Sequence, residues 1–74
     1  MVIDLIIHSS DDGFSSEVPS IKGCESWAHS EDEVIDKTVE IVRYYLKLKE
    51  TVKIKVDRAR KEENLIIYKL IFDK

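Results

Sequence analysis

Only one stretch of this chain repeats its apolar residues at helical spacing; nearly everything on either side of it alternates. From Glu31 to about Lys49, Ile35, Val39, Val42 and Leu46 fall on one stripe, with Asp36, Glu40, Arg43 and Lys47 on the polar side. A lone amphipathic helix cannot bury its own stripe, so it must lie on a sheet built from the alternating segments. The start is marked by Ser30, followed three residues later by Glu33: the hydroxyl can accept from the third backbone N–H and the carboxylate can return to the cap. Glu31, Asp32 and Glu33 also stand where the helix dipole favours negative charge.

The flanking segments supply the strands. VIDLIIH, residues 2 to 8, sets Ile3, Leu5 and Ile7 on one face against Val2, Asp4, Ile6 and His8 on the other. SSDDG carries turn residues, and Phe14, Ser16 and Val18 resume the alternation, which predicts a β-hairpin ending near Pro19. After a second turn at Gly23, CESWAHS alternates the small residues Cys24, Ser26 and Ala28 with Glu25, Trp27 and His29; the small face is what a closely packed helix requires. Beyond the helix, Thr51 to Asp57 reads as a strand with one wet face, RARKEEN as a charged turn, and Leu65 to Phe72 as a last strand apolar on both faces. The expected fold is α+β, β-β-β-α-β-β, a small mainly antiparallel sheet with one helix on one face.

The 74 residues bound this to a single domain, 1–74. A hydrophobic content of 43% beside 36% charged residues excludes a disordered chain. The opening MVIDLIIHSS has no basic leader and is too short to span a bilayer, and a single cysteine makes neither an internal disulfide nor a four-thiolate metal site, so a cytoplasmic protein without membrane contact is expected. Charge is uneven. Residues 1–33 hold eight acids against Lys22 alone, whereas seven of the twelve bases fall between Lys47 and Lys61, a polarity that can orient a charged partner or a second copy.

A second copy is also suggested by burial. The apolar arc of the helix, widened by Val34, Ile41, Tyr45 and Leu48, exceeds what one small sheet covers unless the sheet curls, and a last strand apolar on both faces needs something over its second face. Trp27, Ile6 and one face of the last strand, taken as Ile66, Tyr68, Leu70 and Phe72, are the expected contact residues for self-association as a dimer or tetramer.

The segment DDGFSSEVPSIKGCESWAHSEDE, leading directly into the helix, resembles the N-terminal domain of the HicB antitoxins and the small stand-alone HicB-like proteins. The resemblance rests on Asp12, Gly13, Phe14, Val18, Pro19, Gly23, Cys24 and the acidic cap run Ser30 to Glu33, and covers about residues 2–48. Ile21 and Lys22 depart from the family's leucine and proline, and Ser30 replaces the commoner threonine. The resemblance implies a truncated ribonuclease H-like fold and a non-enzymatic protein-binding module, which in that family masks HicA, a small messenger-RNA-cleaving toxin. Asp11, Asp12, Glu17 and Glu25 are then the acidic surface offered to a basic toxin. The separate DNA-binding domain usual in the family has no counterpart in the 17 residues after Asp57, so direct DNA binding is not expected.

No enzymatic constellation competes with this reading. Cys24 and His29 are five apart on a strand and so point to opposite faces, with no third orienting group. His8, Asp11, Asp12 and His29 lack a recognised ligand spacing, and no cofactor or metal is expected. The ribonuclease H resemblance brings Asp4, Glu40 and Asp57 to attention as a magnesium-holding set, but Glu40 lies on the helix face away from the sheet. Lys53, Lys55, Arg58, Arg60 and Lys61 could meet RNA phosphates or simply keep an edge strand wet.

Overall fold

The structure, a computed structural model, describes residues 1–73. Its elements are β1 (Val2–Ser10), β2 (Gly13–Glu17), β3 (Glu25–Ala28), α1 (Glu31–Tyr45), β4 (Lys55–Lys61) and β5 (Leu65–Ile71). The strands form one antiparallel sheet in the order β3-β2-β1-β5-β4, and α1 packs against β2 and β3. The chain is therefore α+β, a five-stranded sheet with one helix.

One sheet face carries the core. Ile3, Leu5 and Ile7 of β1 pair with Leu70, Tyr68 and Ile66 of β5, and all six are buried. Cys24 and Ala28 are buried and Ser26 partly so, which is the small-residue face the close approach of a helix needs. The Ser30 hydroxyl accepts from the Glu33 N–H at 3.2 Å and fixes the first turn of α1. Between α1 and β2 the buried Ser16 and Thr38 hydroxyls meet at 2.5 Å. Thr38 gives its single hydroxyl hydrogen to the Val34 carbonyl at 2.6 Å, so Ser16 must be the donor in that pair.

Four expectations need correction. The fully buried helix stripe is Val34, Thr38 and Val42; Ile35, Val39 and Leu46 flank it, because the helix turns its smallest buried side chain, Thr38, onto the hydroxyl of Ser16. The helix ends at Tyr45 rather than near Lys49. Leu48 N–H returns to the Arg43 carbonyl at 3.0 Å and Lys47 N–H to that of Tyr44 at 3.3 Å, with Lys47 left-handed at φ 53°, the bond pattern of a Schellman stop. That position usually carries glycine, and a lysine there gives no advance sign of a helix end.

The fourth strand lies four residues later than expected, at Lys55–Lys61, so Arg58 to Lys61 belong to a strand and the turn shrinks to Glu62–Asn64, where the Glu62 N–H reaches the Leu65 carbonyl at 2.7 Å. Val52 and Ile54, expected inside that strand, pack instead against the core from the α1–β4 connection, together with Leu46 and Leu48. β4 tolerates its charges because it is an edge strand, and a register shift between Arg58 and Arg60 marks a bulge there.

The last strand does have two apolar faces, but Ile66, Tyr68, Leu70 and Phe72 are the buried, helix-side set. They are not available as an outer contact. Register decides this: each stands beside, or in alternation with, a buried residue of β1, and directly opposed residues share a face. Lys69, in phase with Leu65, Ile67 and Ile71, is the sequence sign of the wet face.

Candidate interaction surface

The sheet face away from α1 can be assembled from the register. β1 contributes Val2, Asp4, Ile6 and His8, and opposite them β5 contributes Ile71, Lys69, Ile67 and Leu65. β2 adds Ser15 and Glu17, β3 adds Trp27 and Glu25, and β4 adds Arg60, Asp57 and Lys55. Val2 is 57% exposed and Trp27 44%, while Ile6, Leu65, Ile67 and Ile71 are half-buried. These last four are not among the partly buried residues that pack against the core, so their shielding comes from neighbours within the sheet.

Charges are set into this apolar ground in pairs. Asp4 and Lys69, directly opposed, form an ion pair in the middle of the face. Lys55 Nζ lies 3.6 Å from Asp57 Oδ2, and the Glu17 carboxylate is held by a hydrogen bond to the His8 ring, Nε2 to Oε1 at 3.1 Å. Such half-exposed pairs contribute little stability individually but fix a pattern of sign across the surface.

Trp27 sits at the margin. Its indole covers the backbone of Gly13 and meets the His29 ring edge-on, with centroids 4.6 Å apart. A Cβ on Gly13 would come within 2.6 Å of the Ala28 carbonyl oxygen and 2.8 Å of the indole Cζ2, and Gly13 has φ +155°. This glycine of the DDGF motif is therefore required by the close passage of β3 and its tryptophan.

Of the four acids expected to form one surface, Glu17 and Glu25 stand side by side in the β2–β3 register, whereas Asp11 and Asp12 project from the β1–β2 turn at the other end of β2. Ile6 lies on the face as expected. Sequence reasoning did not single out Leu65, Ile67 and Ile71, and the signal that would have found them is the phase of Lys69.

The groups weighed for catalysis are dispersed. Cys24 is buried, which pushes its thiol pKa up, whereas His29 is exposed on the opposite side. Asp4 and Asp57 share the open face with Lys69 between them, while Glu40 is exposed on the helix beyond the other face. Among the described residues no group of three or more His, Cys, Asp or Glu could hold a metal ion, and no helix is long and apolar enough to cross a membrane. Tyr68, whose hydroxyl donates to Glu31 Oε1, ties the helix start to the sheet; burial and then that bond push its pKa up to about 12.

A groove of about 550 Å³ lies at the end of α1, lined by Arg43, Tyr44, Tyr45, Lys47 and Leu48. Tyr44 is 80% exposed, but Arg43 is engaged by the Val52 carbonyl at 2.7 Å. No family model, no curated protein and no solved structure matches the chain.

Proposed function

We propose that this chain is a HicB-like protein-interaction module without enzymatic activity, which associates with itself and binds and masks a small basic ribonuclease of the HicA kind. The observation that carries the reading is the sheet face opposite α1: among the described residues its half-buried isoleucines are shielded only by neighbours within the sheet, not by packing against the core, and two acids, Glu17 and Glu25, border it. The β-β-β-α-β-β order agrees with the fold that the DDGF…VP…GC resemblance implies. Acids at this margin and at the Asp11–Asp12 turn complement a basic partner electrostatically, which favours fast encounter and orientation.

The test is co-expression with the reading frame beside its own gene. The expected result is that this neighbour encodes a small basic ribonuclease that arrests growth alone, co-purifies with the chain and is silenced by it. A harmless neighbour, or a toxic one that the chain neither binds nor relieves, would overturn the antitoxin part and leave an interaction module whose partner is itself or another regulator.

The basic connection and β4, with Tyr44 and Tyr45 beside Arg43 and Lys47, favour RNA contact as a second reading. Filter binding of single-stranded RNA that weakens steeply with added salt would select it.

A further inference from the structure

Read across the open face, the side chains form rows with a direction. One row runs Glu25, Glu17, Ile6, Ile67, Arg60 from β3 to β4: acids at one end, isoleucines in the middle, a base at the other. The next runs Asp4, Lys69, Asp57, and the one beyond it Val2, Ile71, Lys55. Any occupant of this face must match not only the isoleucines but also an ion pair, Asp4–Lys69, set between them, since covering a charge without a counter-charge is strongly unfavourable.

A second copy does this in one orientation. Consider a two-fold axis running along the strands, between β1 and β5. Rotation about it lays each β1 residue over the β5 residue it already opposes, now from the other chain: Ile6 over Ile67, Val2 over Ile71, Asp4 over Lys69. The same rotation sets Glu17 over Arg60. Asp4 and Lys69 of the two chains then make a four-membered ring of alternating sign. The other in-plane axis, across the strands, would instead press the acidic margin against its own copy. Self-complementarity about a two-fold axis is what an isologous contact requires, and the charge pattern selects the axis along the strands.

We propose that the open face is the contact between two copies of this chain, packed face to face about an axis parallel to β1 and β5, with the Asp4–Lys69 pairs at its centre and Glu17 against Arg60 at its margins. The proposal rests on the self-association half of the functional reading and deepens it. The sheets lie ~10 Å apart with strands within ~30° of alignment, as aligned sandwiches do. Four strands spaced ~4.8 Å over about six residues give a flat footprint of roughly 400 Å² per copy, a small contact that forms and dissociates with concentration. Trp27 and the Asp11–Asp12 turn lie outside it and stay open to another partner.

Sedimentation equilibrium across a concentration series tests this, with far-UV circular dichroism to check that each variant is folded. The wild-type chain is expected to reach dimer mass. Ile67→Lys should abolish the dimer. Glu17→Arg and Arg60→Glu should each weaken it by about tenfold, since each reverses two symmetry-related contacts, and the double variant should recover most of the loss. If Ile67→Lys does not fold, the charge exchange decides alone. A dimer indifferent to Ile67→Lys, or a double variant no better than its parents, overturns this face and axis while self-association stands. A chain that is monomeric at every concentration overturns both.

Discussion

The buried hydroxyl pair between α1 and β2 gives the sharpest test of how the helix is seated. Ser16 donates to Thr38, and Thr38 donates to the Val34 carbonyl, so the two side chains are not equivalent. Thr38→Val removes the acceptor and strands the Ser16 hydroxyl in a site where Ser16 is 4% exposed; an unsatisfied buried donor costs about 1–3 kcal/mol. Ser16→Ala leaves Thr38 bonded to Val34 and loses one neutral hydrogen bond, about 0.5–1.5 kcal/mol. Removing both hydroxyls leaves two apolar groups of similar shape in contact, for a total cost of about 0–1 kcal/mol.

The double variant should thus be more stable than Thr38→Val alone, with a coupling of about 1–3 kcal/mol. Urea titration at constant m-value measures it, and 1 kcal/mol moves the melting temperature of so small a domain by about 4–8 °C. Additive single effects, or a double variant less stable than either parent, would refute the donor assignment and the close contact of α1 with β2.

Two backbone substitutions should act in opposite directions. Gly13→Ala drives a methyl into the Ala28 carbonyl and the Trp27 ring at a positive φ, and is expected to cost about 2–4 kcal/mol by urea unfolding, with a shift in tryptophan fluorescence. Lys47→Gly relieves a left-handed lysine at the helix stop and should stabilise the chain by about 0.5–1 kcal/mol in the same titration. Tyr68 supplies an alkaline dependence. Its folded pKa, about 12, lies above its ordinary 10, so the neutral phenol favours the fold; that contribution is full below about pH 10 and is lost as pH rises through 12. Melting curves between pH 9 and 12 should fall less steeply for Tyr68→Phe than for wild type, by about 2 kcal/mol across the window.

The sequence by itself determined the elements whose cause is local. The Ser30 cap, the turn at Gly13, the small face of Cys24, Ser26 and Ala28, and the alternation of β1 and β5 are set by residues acting on their own backbone or their nearest neighbours. Local chemistry misled where it was uncharacteristic: Lys47 ends the helix from a position that usually announces itself with glycine, and the charged run Arg58–Lys61 is held in a strand only because β5 pairs with it.

Only the tertiary structure joined the apolar faces of separate strands into one core. Lys69 marks Leu65, Ile67 and Ile71 as the wetter face of β5, but both sets are strongly apolar, and it is pairing with Leu5 and its neighbours, a contact between chain ends, that turns Ile66, Tyr68, Leu70 and Phe72 inward and leaves the other set out. The same register sets Asp4 beside Lys69 and separates Glu17 from Arg60 by two strands of isoleucine. A strand's period of two fixes which residues travel together, but the face they take depends on the strand laid beside it, and that partner lies far away in the sequence.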